Sequence, residues 1–259
     1  MSKSNEPILN KLFKKENTYT EKALLINKNE FIKVVESRRS VRIYNDNKIK
    51  EEDMLKCLDL AILSANSSNL QPWEFYWVKD LNKKNKLIDY CLGQPAAKTA
   101  QELIVCVARP DTWKKNTKSM LDSLKEKKLP TAALTYYNKI VPLAYNQGIF
   151  GIRGLLKRIA IFIIGLKKVI PREPKSYNDM KIWAHKSTAL ACQTLMLSLR
   201  AFGYDSCPME GIDSYRIKKL LKLPKTAQIS MVISAGCRAD NGVYGKRFRL
   251  KKDNFIKII

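Results

Sequence analysis

The chain has 259 residues, 45% of them hydrophobic, enough to bury a full core as one large domain or two small ones. It carries 48 Lys and Arg against 24 Asp and Glu, a formal net charge of +24, so its field favours nucleic acid, anionic lipid or phosphorylated small molecules. A single histidine and six cysteines with no C-x-x-C pair argue against a bound metal, and the absence of a secretory signal points to a reducing cytoplasm.

Taken in order, residues 1–29 are polar and Lys-rich, with a weak apolar rhythm at Ile8, Leu9, Leu12 and Phe13, and read as an arm or short docking helix. Asn29 offers an N-cap, and Phe31, Val34 and Val35 give a helical face running to Arg38. A second helix opens on Glu51, Glu52 and Asp53, acids suited to its positive end, and its apolar stripe extends to Ala65. A polar loop, Ser64 to Trp73, then leads into a strand over 73–78, with Pro72 tolerated at its start. The apolar runs 102–108 and 228–235 fit buried strands.

Residues 110–179 read as several helices with a Pro-containing break. Within them, 151–170 is unusual. Its uncharged stretch, 159–166, is far shorter than the ~20 residues needed to span a bilayer. Arg153, Lys157, Lys167 and Lys168 gather on one third of the helical wheel, with Arg158 as the outlier, the pattern of a helix lying in a membrane interface. The plainer alternative is a packed helix with snorkelling lysines. Residues 180–202 form a helix nearly apolar all round, suited to the centre of a domain or a subunit interface, and Gly203 ends it. A short helix is expected within 211–223, stopped before Pro224. The remaining lysines, such as Lys83-Lys84, Lys114-Lys115 and Lys251-Lys252, form short separated runs that read as surface solvation, and no nucleic-acid partner is expected.

Two segments stand out chemically. Arg38-Arg39-Ser40-Val41-Arg42 ends one helical pattern, and the hydroxyl- and amide-rich loop ends the next, so donors are free for a phosphate-bearing, multi-ring ligand. Plainer readings stand beside these. The arginines could be a favourable cationic helix end, and Ser67 and Asn69 could simply cap or turn. Glu210 could be a helix N-terminal carboxylate, and Cys207 an inert buried thiol. His185 reads as a satisfied buried or interface residue, and Trp183, Met196 and Leu199 as core.

Together with Gly203-Tyr204, Cys207-Pro208-Met209-Glu210-Gly211 and Lys246-Arg247-Phe248-Arg249, these segments in this order resemble the FMN-dependent nitroreductase family. The resemblance covers about residues 30–109 and 180–259 and leaves 110–179 as a helical insertion in a single domain spanning 30–259. It implies an α+β fold, an antiparallel-dominated central sheet flanked by helices, in a domain-swapped homodimer with FMN at the interface. Arg38, Arg247 and Arg249, with Ser40, would serve the phosphate, Arg39 would join the cofactor-binding set, and Arg42 would lie at the pyrimidine edge of the ring. Ala65, Asn66, Ser67 and Asn69 would reach the flavin of the partner subunit, Ala65 replacing a common Pro and leaving the loop less fixed. Pro208, Met209, Glu210 and Gly211 would pass along the ring, with backbone of Glu210 or Gly211 at N5, and Gln94 would meet its polar edge. Phe255 to Ile259 would add an edge strand to the partner.

The implied activity is a cytoplasmic oxidoreductase that takes electrons from NAD(P)H and reduces electron-poor acceptors, nitroaromatics or quinones, by a ping-pong mechanism without an obligate acid or base side chain. Other flavin chemistries occur on the same scaffold: dehalogenation, oxidation and flavin destruction. The basic charge and 151–170 also allow a peripheral membrane-associated flavin-binding protein.

Overall fold

The computed structural model describes residues 20–126 and 131–259. Most of the proposed N-terminal arm, with Ile8 to Phe13, lies outside the described residues. Helix α1 (Lys28–Ser37) is capped by Asn27, whose side chain accepts from the Asn29 N–H, two residues before the expected cap. Helix α2 (Glu51–Ala61) starts at the acidic triplet and ends at Ala61, because Ile62 to Asn66 turn out of the helix four residues before the apolar stripe runs out.

Four strands form one sheet in the order β1-β2-β4-β3, with β1 Trp73–Trp77, β2 Glu102–Ala108, β3 Asp205–Met209 and β4 Gln228–Gly236. Every pairing between these strands is antiparallel, with Trp73 opposite Ala108 and Met209 opposite Val232. The two central strands, β2 and β4, are the continuous apolar runs, as burial on both faces requires. Strand β3 is an edge strand with Pro208 inside it, a position where the missing N–H costs no ladder bond.

Helices α3 (Leu81–Tyr90), α4 (Pro95–Lys98) and α10 (Ser214–Leu220) cover one face of the sheet; α10 is trimmed to seven residues because Asp213 caps it and Lys222 adopts a left-handed φ of 52°. Helix α9 (Tyr177–Ala201), capped by Ser176, crosses the other face with α2, and Cys192, Leu195 and Leu199 pack there against Met54 and Ile104. Trp183, Met196 and Leu199 are buried as expected. The helix is not central on all sides, however: Ile182 and Leu190 lie on an outward stripe, beside exposed Phe31, Ile32 and Val35 of α1.

Between β2 and α9 the chain is helical: α5 (Trp113–Glu126), α6 (Thr131–Thr135), a π turn at Tyr136–Ile140, α7 (Val141–Tyr145) and α8 (Ile152–Gly165). Trp113, Leu124, Tyr137, Val141 and Tyr145 build a third core cluster with Leu70, Met180 and Trp183. No residue of α8 enters any of the three clusters. The tail ends in a short 3-10 turn at Lys252–Asn254, and within the single chain Phe255 to Ile259 pair with no strand.

Candidate active site

The Arg38 to Arg42 segment is held at the β3 edge. Arg38 terminates α1 in an extended conformation, Ser40 bridges Ser206 in parallel, and the Val41 N–H donates to the Ser206 carbonyl at 3.2 Å. Burying Val41 turns its neighbours outward, and the Arg42 N–H is tied to the Gly242 carbonyl at 2.8 Å. The C-terminal basic segment folds back on this edge: Arg39 donates to the Gly245 carbonyl at 2.5 Å and Arg247 to the Arg38 carbonyl. Between them lies a cleft of about 260 Å³ lined by Arg38, Arg39, Ser40, Arg42, Arg247 and Arg249, with Tyr244 beneath the Arg42 guanidinium at 5.2 Å.

This cleft is electrostatically unsatisfied. Burial, then repulsion from Arg247 and Arg249, pushes the Arg38 pKa below its ordinary value. Like charges crowd at one point only at a cost, and a dianion among them would remove it. The donor set therefore fits a phosphate monoester.

From the same edge, β3 delivers Pro208 and Met209 to an exposed turn at Glu210 and Gly211. Gln94, the cap of α4, donates from Nε2 to the Gly211 carbonyl at 2.9 Å and to the Cys91 carbonyl at 3.0 Å. His185, half-buried on α9, has Nδ1 3.3 Å from Ser230 Oγ; burial lowers its pKa, Glu210 opposes that shift and Lys181 adds to it. Cys207 is buried, and burial raises its pKa against the pull of Arg42 and Arg38, so it is kept as a thiol.

The polar loop lies elsewhere. It leads into β1, the opposite edge strand, three strand spacings or roughly 14 Å from β3. Its shape comes from three residues with left-handed φ, Ser68 (59°), Asn69 (49°) and Gln71 (46°), and from side-chain bonds. Asn66 Oδ1 accepts from the Gln71 N–H at 2.7 Å, Ser67 Oγ meets the Tyr145 hydroxyl at 2.9 Å, and Ser68 Oγ meets the Tyr136 hydroxyl at 2.7 Å. Ala65 in place of Pro therefore does not leave the loop loosely held. Tyr136, Tyr137 and Tyr145 were not foreseen: they sit about 70 residues downstream and carry no local motif.

The structure thus brings Arg38, Arg39, Ser40, Arg42, Gln94, Pro208 to Gly211, Arg247 and Arg249 to one edge of the sheet, and sets Ala65, Asn66, Ser67 and Asn69 at the other. A separate open cavity of about 980 Å³, walled by Trp113, Tyr145, Tyr177 and Met180 with Lys181 at its rim, lies between the helical segment, the start of α9 and the start of β4 at Gln228. Among the described residues no group of His, Cys, Asp and Glu could hold a metal ion.

The family model for the nitroreductase family matches residues 35–237. The chain belongs to the nitroreductase family. Protein DrgA of Synechocystis sp. is 26% identical over 212 residues, spanning 81% of this chain and 84% of that protein. A protein named NADH dehydrogenase from Thermus thermophilus is 25% identical over 220 residues, 83% of this chain and 90% of its own. Among solved structures, a nitroreductase-family protein of Exiguobacterium sibiricum in complex with FMN superposes with a TM-score of 0.68 at 23% identity, covering 93% of this chain and all of that one. Bacillus subtilis ydfN gives 0.70 at 20% identity, over 90% of this chain and 100% of that structure. As a nitroreductase-family member the chain is an oxidoreductase, with the family's α+β fold and antiparallel sheet.

Proposed function

We propose that this nitroreductase-family chain is an FMN-dependent NAD(P)H oxidoreductase whose competent unit is a homodimer. The observation that supports the reading is the placement of a basic cleft and a polar loop at opposite edges of a single sheet. A phosphate cleft and ring-edge turn on β3, and a rigid polar loop beside β1, complete one site when two chains pair with the β3 edge of each meeting the loop of the other. The outward apolar stripes of α1 and α9 supply a surface for that pairing, and the tail from Phe255 to Ile259 is free to cross.

In this arrangement Arg38, Arg247 and Arg249, with Arg39 and Ser40, hold the phosphate. Arg42 places a fixed cation at the pyrimidine edge, where reduction accumulates negative charge. The Glu210–Gly211 turn, braced by Gln94, offers its backbone to the edge that carries N5, and Gly211 leaves room for close approach. FMN held by these residues would supply the redox chemistry, taking electrons from NAD(P)H and giving them to a nitroaromatic or quinone. The protein's own contribution is binding, orientation and charge, with no side chain acting as an obligate acid or base. The helical segment 110–179, with its aromatic-walled cavity, sets the size of acceptor admitted.

The test is the absorption spectrum of the freshly purified protein, followed by anaerobic addition of NADH or NADPH. A yellow protein that releases FMN and bleaches with either donor is expected. A protein that stays colourless after incubation with FMN overturns the reading, and bound flavin that neither donor bleaches overturns the reductase part of it.

A further inference from the structure

Helix α8 is built the wrong way round for a helix on a globular surface. It rests on the body through Gly154, Lys157, Ile161 and Gly165, the four residues of α8 that are not exposed. Gly154 is required there, since a Cβ would stand 2.8 Å from the Lys175 carbonyl and 2.9 Å from Gln147 Oε1. Lys157 points inward and donates from Nζ to the Ala144 carbonyl at 2.7 Å and the Pro174 carbonyl at 3.4 Å. Its cation is spent on clamping the helix down. What faces outward is apolar: Leu155, Leu156, Ile159, Phe162 and Ile163 are all more than half exposed, Phe162 at 66%. The packed helix with snorkelling lysines is therefore not what the chain forms.

A contiguous face of this kind marks a contact surface rather than ordinary exposure of single apolar residues. The charge around it decides between occupants. Residues 152–175 hold seven Lys and Arg and one acid, Glu173, in a chain of net charge +24. A second copy meeting this face would bring the same cations against themselves around a dry contact. An anionic lipid surface takes the apolar face and neutralises the cations together. At 14 residues α8 is about 21 Å long, short of the ~30 Å hydrocarbon core, so it lies in the interface, and no helix among the described residues is long and apolar enough to cross a membrane.

We infer that α8 seats this protein on the surface of an anionic bilayer, with Leu155, Phe162 and Ile163 entering the acyl boundary and Lys167 and Lys168 meeting the headgroups. Ile152 and Arg153 at the start of the helix, with Ile149 just before it, also line the cavity of about 980 Å³, so the docked face adjoins that opening. The docking does not depend on the flavin reading, and its test reads lipid binding alone.

The experiment is flotation of the full chain at physiological salt with phosphatidylcholine vesicles, with and without roughly one third phosphatidylglycerol. The wild-type protein is expected to float with the anionic vesicles and not with phosphatidylcholine alone. Leu155→Glu/Phe162→Glu/Ile163→Glu, all at exposed positions, should lower the bound fraction at least about tenfold while the circular dichroism melt is unchanged. Lys167→Gln/Lys168→Gln should weaken binding to anionic vesicles several-fold. Wild-type protein that stays at the bottom of the gradient overturns the proposal, as it would if residues 1–19 or a second copy covered the face. Equal flotation of the triple variant overturns it too, since the charge would then act through another surface. So does a triple variant that elutes as a smaller assembly on size exclusion, which would make α8 a contact between copies.

Discussion

Ser67 and Tyr145, 78 residues apart in sequence, share a hydrogen bond of 2.9 Å, and this bond joins the polar loop before β1 to the helical segment that follows β2. The same hydroxyl lies 3.0 Å from Ser68 Oγ, so one phenol holds two consecutive residues of the loop, the second of them in a left-handed conformation. Tyr145→Phe removes both bonds and leaves Ser68 held by Tyr136 at its hydroxyl and by Tyr137 at its carbonyl. The expected cost is about 1 kcal/mol of stability, read by urea denaturation, with a several-fold weaker FMN affinity by fluorescence titration. Unchanged affinity would mean that the loop's shape does not matter to the ligand.

Because the proposed site draws the cleft and the loop from opposite sheet edges of two chains, variants of each should rescue one another. Arg38→Ala/Arg247→Ala and Asn66→Ala/Ser67→Ala are each expected to lose most FMN binding as purified homodimers. Unfolding and refolding them together should regain flavin in mixed dimers, each holding one intact site. No recovery on mixing would place both half-sites around a ligand of one chain.

Arg42 tests the electrostatic part of the reading. Arg42→Gln is expected to make the flavin harder to reduce, with little change in FMN affinity. The guanidinium is exposed, so screening keeps the shift small, about 10–20 mV more negative for a two-electron couple. A dye-equilibration measurement of the midpoint potential reads it, and an unmoved potential would put Arg42 away from the ring.

Asp205 opens β3 with its side chain 4% exposed, accepting from Arg200 at 3.0 Å and from Arg238 at 2.6 Å. Removing the carboxylate leaves two cations facing each other at the base of the strand that carries Pro208 to Gly211. Asp205→Ala should cost about 3–5 kcal/mol, the range for breaking a buried ion pair from one side. A urea midpoint close to that of the wild-type protein would mean the site is better solvated than its burial indicates.

His185 gives a pH dependence of definite sign. Burial lowers its pKa in the folded chain, so the unfolded chain binds the proton more readily. Stability is then full above the ordinary histidine range and falls as the pH drops through about 6.5, with a slope of no more than one proton. Denaturation midpoints between pH 8 and 5 should fall for the wild-type protein and fall less for His185→Gln. Parallel curves would assign the acid sensitivity to other groups.

The parts of this fold legible in the sequence are those where burial leaves a local pattern. Strands β2 and β4 emerge to within a residue because both faces are covered and the runs are continuously apolar. Strand β3 does not emerge: Asp205-Ser206-Cys207-Pro208-Met209 has no alternation, and its place depends on antiparallel pairing with β4, with Ser40 bridging its outer side. Periodicity found the apolar side of α8 but not the place of its cations: the helix ends at Gly165, before Lys167 and Lys168, and the carbonyls of Ala144 and Pro174 turn Lys157 inward. The motifs naming Arg38, Gly211 and Arg247 were readable as short strings. The tyrosines that set the loop were not, because a hydroxyl bonded across some 70 residues leaves no spacing to recognise.

The strand order has a consequence for how such a protein behaves in a test tube. In the proposed dimer a ligand that touches both outer strands would not be retained by a solitary chain, so flavin release and subunit separation would become one linked equilibrium. Dilution should then bleach the preparation as it dissociates, added FMN should draw the chains back together, and specific activity should fall below a threshold enzyme concentration rather than scale with it.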